Sequence, residues 1–316
     1  MTNPTRTRST RRRRSSLNRD RTLWVLAVPG VVFFLVFSYA PLVGLVVAFK
    51  KFSIYKGIFG SPWNGLENFR FFFQSGNAGR IIWNTVFLNV LFITSTIVVA
   101  IVLAIAINEV RLSMLRRFVQ SSVFLPYFIS PIVISIILQA FLAGVGGQGG
   151  IVNGALNAFS LPSVAWYSEP GPWPAILTVV KVWQLAGYYS VIYLAAITSI
   201  PEEVYEAGML DGASRGQMAL RLTLPYLMPV TVVLVMLSVG RIFFGDFGTI
   251  YAIIGDNGVL YPTTDVIDTY VFRALRTSGD FGMTAAIGLF QSVVGFILVA
   301  GAALVTRRIT RETTLF

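Results

Sequence analysis

The sequence predicts an all-α integral membrane protein with six transmembrane helices. Three observations carry that prediction. Of its 316 residues, 55% are hydrophobic and only 12% charged, against about 25% charged in an ordinary soluble domain. Six apolar runs, at 23–49, 84–107, 118–143, 173–197, 224–244 and 281–305, each reach the roughly 20 residues that a helix needs to cross a bilayer. Their hydrophobicity lies all round rather than alternating, which is the helical pattern and not that of a barrel strand.

The elements follow in order. Residues 1–22 form an arginine-rich tail, with eight arginines among the first 21 residues. Such a run suits a nucleic-acid-binding arm or a disordered cytoplasmic tail beside anionic lipid. The apolar segment that follows at once favours the tail, so no nucleic-acid partner is expected. The run at 23–49 is too long for the apolar core of a signal peptide and has no small-residue cleavage site, so it reads as an uncleaved first span. The second and third spans are joined by a short turn holding Arg111, Arg116 and Arg117, and the sixth is followed by Arg307, Arg308 and Arg311. Six spans place both termini on one side. The arginine bias puts that side in the cytoplasm, as expected of a multi-pass inner or plasma membrane protein. Lys50, Lys51 and Lys56 run against the trend, and the segment 144–172 has no Lys or Arg at all. That segment is rich in Gly, Pro and aromatics, which suits short re-entrant or interfacial structure. Trp166, Tyr167 and Trp173 read as headgroup-level anchors.

Composition also excludes functions. With no cysteine and no histidine, the chain lacks thiolate chemistry, Cys-based zinc sites and the usual physiological general base. The acids lie almost wholly outside the spans, so neither an acid–base pair nor a metal site can be assembled. None of the four lysines follows a glycine, so no phosphate-cradling G-x-x-x-x-G-K-[ST] loop exists. The residues therefore argue against an enzyme, and the chain is expected to have no catalytic or metal-binding residues and no cofactor of its own. A secondary transporter is the runner-up, but it would show inverted repeats and interrupted helices, and neither is evident.

One cytoplasmic loop, 199–225, is patterned. Pro201 suits a first helical position, with Glu202 and Glu203 at the positive end of the helix dipole. Asp211–Gly212 ends that helix. Ser214 and Gln217 then form a capping box for a second short helix, which joins or kinks into the fifth span at Pro225 and Pro229. Ala207, Gly208, Gly212, Ala213 and Ser214 are small enough for another protein to approach closely. Tyr205, Met209 and Leu210 project apolar bulk beside Glu206 and Asp211. A lipid-surface helix would carry basic residues on its polar face. This one has four acids and no Lys or Arg, which suits protein docking.

The same stretch resembles the EAA loop of binding-protein-dependent ABC importer permeases. That pattern is E-A-A, three residues, G, nine residues, I-x-L-P. Glu206, Ala207 and Gly208 stand at E-A-A, Gly212 at the glycine, and Leu222, Thr223, Leu224 and Pro225 at I-x-L-P. Two positions depart, Gly208 and Leu222, and both keep size and polarity. Beyond the loop, VAFKKFSIYKGIFGSPWNGLENFRFFF, RRFVQSSVFLPYFISPIVI, VWQLAGYYSVIYLAAITSIPEEVYEA and GLFQSVVGFILV are similar to the carbohydrate branch, in particular the polysaccharide and oligosaccharide permeases. The resemblance implies the type I importer permease fold. It also implies a second permease chain, in the manner of a heterodimer, two ATPase subunits that hold ATP and Mg, and an external solute-binding protein. It makes the loop the coupling element seated in a cleft of the ATPase. Glu206, Ala207, Gly208, Asp211, Gly212, Ala213, Leu222, Leu224 and Pro225 are then its coupling residues. The cargo it implies is a carbohydrate, with an importer of a different solute as the alternative.

A sugar path needs aromatic faces and planar polar groups inside spans. The fourth span offers Lys181, Trp183, Gln184, Tyr188, Tyr189 and Tyr193, and the outer end of the fifth offers Arg241 and Asp246. Intramembrane ionisable residues are costly and functional by default, and a pair between Arg241 and Asp246 is the alternative use of those two. Lys181 and Arg241 would suit an acidic sugar.

Overall fold

The computed structural model describes residues 13–74, 76–143 and 149–313. Among these residues it has helices and no strand, only an isolated bridge between Lys50 and Trp63. The tail's first twelve residues lie outside the described part. Its remainder belongs to the first helix, α1, which starts at Arg13 (Arg13–Phe34), not after residue 22. The helix continues through a π-turn, Leu35–Tyr39, and a 3-10 stretch, Ala40–Phe49. The π-turn ends two residues before Pro41. A proline lacks an N–H and crowds the carbonyl four residues back, so a locally wider turn accommodates it.

After the short amphipathic α2 (Glu67–Gln74) come α3 (Ala78–Asn108), α4 (Ser113–Phe124), α5 (Pro131–Leu142) and α6 (Ile151–Ala158). Then follow α7 (Trp173–Thr198), α8 (Glu202–Leu210), α9 (Arg215–Met218) and α10 (Leu224–Val239). The chain ends with α11 (Phe247–Ile254), α12 (Ile267–Ser278) and α13 (Phe281–Thr313). Among the described residues, five stretches are long and apolar enough to cross a membrane: Leu23–Phe49, Ala78–Asn108, Trp173–Thr198, Arg215–Val239 and Phe281–Leu304. A sixth is present if the bent pair Ser113–Phe128 and Pro131–Leu142 counts as one span.

That pair corrects the continuous third span expected at 118–143. Its halves meet at 101°. Pro126 opens a 3-10 turn, Ile129 and Ser130 are extended, and Pro131 starts the new helix. Ser130 Oγ accepts from Val133 N at 3.4 Å. The break is thus written by two prolines and a serine cap, which apolar periodicity does not register. The fifth span also differs: its helix ends at Val239, and residues 240–246 form a turn before α11. The second helix extends six residues ahead of the expected start at 84, and the last runs beyond 305 to Thr313.

The core is built on α3 and α7, which pack along each other. One cluster joins Leu88, Phe92, Ile134, Trp173, Leu177 and Ile250. A second, nearer the other end of these helices, joins Ala100, Ala104, Tyr193, Leu194, Ile197 and Leu227. Gly187 permits the tightest crossing. A Cβ placed on it would lie 1.8 Å from the carbonyl oxygen of Val123 in α4. Outside these clusters, large apolar side chains such as Trp24, Phe37, Val102, Val179 and Phe296 are exposed, as a bilayer-facing surface requires.

The segment between α10 and α13 folds into the bundle rather than looping over it. Asn84 of α3 donates to the carbonyls of Pro262 and Asp265 at 3.1 and 3.2 Å, and Ile267 N donates to Thr85 Oγ1 at 2.9 Å. Asp265, 2% exposed, pairs with Arg273 at 2.7 Å and accepts from Thr269. The three aromatics expected at headgroup level are part of the same packing. Trp173 is fully buried and donates to Trp166 O at 2.7 Å, while Trp166 donates to Asn153 at 3.0 Å and Tyr167 packs edge-on against Trp173. Of the 144–172 segment, residues 144–148 lie outside the described part.

Candidate functional site

The patterned loop is a helical elbow. Helix α8 begins at Glu202 with Pro201 as its N-cap, so the helix starts one position later than a first-turn Pro201 implies. It ends in a Schellman motif: Ala213 N donates to Gly208 O at 3.0 Å and Gly212 N to Met209 O at 3.1 Å. Gly212 takes a φ of +73° there, a conformation that glycine alone adopts freely. The capping box of α9 is present, with Ser214 N donating to Gln217 Oε1 at 2.8 Å and Gln217 N to Ser214 Oγ at 3.4 Å. The chain then continues through a π-turn, Ala219–Thr223, into α10. This second π-turn ends two residues before Pro225, as the first does before Pro41. No break separates the elbow from the fifth span.

Two of the small or aromatic residues face inward, contrary to the expectation of an outer surface. A Cβ on Gly208 would meet Leu222 Cδ1 at 3.0 Å and Met218 Cγ at 3.6 Å. Tyr205 shares a hydrogen bond with Thr223 Oγ1 at 3.0 Å. The two motif departures, Gly208 and Leu222, therefore contact each other and lock α8 onto the start of the fifth span. The outward face carries Glu206, Ala207, Met209, Leu210 and Asp211, with Leu220 beyond the elbow. Leu210 is 90% exposed. Ala213, Leu222 and Leu224 are partly covered, and Pro225 is exposed. Arg215 reaches Glu109, in the turn between α3 and α4, at 2.9 Å. Both ends of that pair are half exposed, so it positions the elbow more than it stabilises it.

Within the bundle, the residues proposed for a path separate. Lys181 pairs with Asp246 at 2.5 Å, so Asp246 is not the partner of Arg241. Arg241 is exposed and makes no ion pair among the described residues. Lys181, Tyr189 and Asp246 line a cavity of about 90 Å³ together with Asn89, Thr96 and Ser238. The other candidates serve elsewhere. Tyr193 is fully buried and donates to Thr231 at 3.1 Å, tying α7 to α10. Gln184 lies against the broken span, with Nε2 3.4 Å from Ile129 O. Tyr188 stacks on Tyr127 at 4.5 Å, and Trp183 faces an apolar cleft with Phe118 and Pro126. Positions 181, 185 and 189 follow one another at four-residue spacing along one face of α7, whereas 184 and 193 lie about 180° apart around the helix.

The turn before α11 is gripped from several sides. Asn89 reaches Phe244 O at 3.4 Å, Gln291 donates to Phe243 O at 2.7 Å, and Gly245 N donates to Asp268. Burial pushes the Asp268 carboxyl above its ordinary range, and the bonds from Gly245 and Gln291 offset this only in part. Asn89, Asp268 and Gln291 were not singled out in the sequence, because a lone amide or acid at an apolar face has no periodic signature.

Residues 96–311 match the family described as the binding-protein-dependent transport system inner membrane component. That stretch takes in α7, the elbow, the turn and α13. The chain belongs to this family. Among relatives of this permease, the polygalacturonan/rhamnogalacturonan transport system permease protein YteP of Bacillus subtilis (strain 168) is 31% identical over 296 residues, covering 94% of this chain and 91% of its own. A crystal structure of a bacterial ABC transporter involved in the import of the acidic polysaccharide alginate contains a chain that is 34% identical. The two superpose with a TM-score of 0.84 over 94% of this permease and 98% of that chain. The same identity and TM-score hold for the bacterial alginate ABC transporter in complex with alginate pentasaccharide-bound periplasmic protein, over 95% and 98% of the two chains. The permease is thus a multi-pass membrane protein with the ABC importer permease fold.

Proposed function

We propose that this permease carries an oligosaccharide, most simply an acidic one, through an ATP-driven type I importer. The observation that carries the coupling part is the elbow. It presents Met209, Leu210 and Leu220 to the outside beside Glu206 and Asp211, while Gly208 and Leu222 hold its back to the fifth span. Apolar side chains exposed next to acids are what a protein groove takes, and a lipid surface is not. The partner is an ATPase dimer that holds ATP and Mg, one subunit under this chain and one under a second permease. With no break between elbow and span, ATPase closure moves α10 as a lever. It biases the bundle between inward- and outward-facing states, a two-state element driven by nucleotide.

The elbow and both termini then lie in the cytoplasm, and an external solute-binding protein delivers cargo to the opposite face. The cargo class rests on the named substrates of the relatives, both uronate-bearing polymers, and on Lys181 inside the bundle. Lys181, Tyr189 and Asp246 are the path residues this reading keeps. Purification from detergent is expected to yield the chain with a second permease and two copies of an ATPase. ATP hydrolysis should rise several-fold when binding protein loaded with a uronate oligosaccharide is added. A chain that purifies alone and transports in liposomes without ATP would refute the reading.

A further inference from the structure

The cavity beside Lys181 has chemistry that the helix bundle leaves unused. Its volume of about 90 Å³ is room for a carboxylate group or a few waters. Thr96 lines it, is 3% exposed, and has a hydroxyl with no hydrogen-bond partner among the described residues. Ser238 and Asn89 also line it, but their donors are bonded to Leu234 O and Thr85 O at 2.8 Å each. So a buried donor and a largely covered ammonium face a small space that no side chain fills.

Asp246, which holds the ammonium, is in an unusual position. It is the N-cap residue of α11, yet its side chain makes no capping bond. An aspartate at an N-cap ordinarily accepts from the first free amides of the helix. Here the carboxylate is drawn to Lys181 instead, with ψ at 69° rather than in the extended range that capping uses. Asp246 therefore has a second partner waiting, at the cost of a backbone rotation in a turn that starts with glycine.

We infer that Lys181 is the carboxylate-binding residue of the pathway and that Asp246 is its resident stand-in. A uronate group of the cargo takes the place of Asp246 on Lys181, with Thr96 donating to it, and the freed Asp246 caps α11. This rests on the acidic-cargo reading above. Exchange of one carboxylate for another keeps Lys181 paired throughout, so an empty pathway never holds a lone buried charge. A neutral or esterified sugar offers no such exchange, and the pair then stays closed against it.

The test uses the assembled transporter in liposomes with its binding protein. Uptake of a uronate oligosaccharide is compared with uptake of its methyl ester, as a ratio. Because the binding protein is common to all variants, a change in the ratio belongs to the permease. Lys181→Gln with Asp246→Asn, a neutral hydrogen-bonding pair, is expected to lower the free-acid preference at least tenfold. Lys181→Arg is expected to keep it. The reversed pair, Lys181→Asp with Asp246→Lys, preserves an ion pair and should also lose the preference. If either double variant keeps the wild-type ratio, the pair is structural and the inference is overturned while the cargo reading stands. If the unmodified transporter takes up no free acid, the cargo reading itself falls.

Discussion

Gly212→Val is expected to abolish uptake while leaving the chain inserted in the membrane. At a φ of +73°, a β-branched side chain collides with its own backbone, at a cost of about 1–2 kcal/mol or more. The elbow would relieve that strain by opening. Opening breaks the bonds from Ala213 N to Gly208 O and from Gly212 N to Met209 O. The added side chain meets no other obstacle, since a Cβ on Gly212 has no atom within 4 Å. Helix α8 would then leave the fifth span at a new angle, and its outward face would miss its partner. ATP hydrolysis in the assembled transporter should no longer respond to loaded binding protein. Glu206→Lys should fail in the same assay for a different reason, because it reverses charge on the exposed face and leaves the elbow intact. Wild-type uptake by both variants would reduce the loop to a connector.

The second large effect lies in the bundle. Gly187→Leu should prevent recovery of a monodisperse folded protein, and Gly187→Ala should lower its thermal midpoint markedly. A Cβ at this position would sit 1.8 Å from Val123 O and 2.4 Å from Val123 C, so backbone and not a flexible side chain must move. Overpacking of this kind costs about 1–3 kcal/mol where neighbours can adjust, and more where they cannot. Here α4 is anchored next to the 101° break of its span, so little adjustment is available. Gly288→Ala is the control: it is helical, with nothing within 4 Å of the added carbon, and the midpoint should hold or rise slightly. Equal behaviour of the two alanine variants would show that the crossing tolerates more than its geometry allows.

The long spans were legible because uninterrupted apolar runs of bilayer length have few other uses. The elbow was legible down to Gly212, Ser214 and Gln217 because caps and turns are local chemistry. What failed was anything decided between distant segments. The break at Pro126 and Pro131 lay inside an apolar run, and hydropathy averages across it. Helix α11 is apolar but eight residues long, too short to be told from a loop, and it is placed by Ile250, Ile253 and Ile254 in the core. Closeness in sequence offers Arg241 as a partner for Asp246, one of two readings the sequence leaves open. The partner of Asp246 in the fold, Lys181, is 65 residues away and meets it only because the turn after Val239 swings toward α7. The small size of Gly208 suits close approach by another protein, and in the fold the chain's own Leu222 makes that approach.

The most direct measurement of the coupling assignment uses the absence of cysteine from the chain. Leu210→Cys, at a position 90% exposed on the elbow, is labelled with a photoreactive maleimide in the assembled transporter and irradiated with and without ATP. The account predicts a cross-link to the ATPase subunit whose yield changes with nucleotide, and none from Phe159→Cys in the segment placed on the opposite face. A transporter that hydrolyses ATP and imports cargo, yet links its ATPase from position 159 and never from 210, would contradict it.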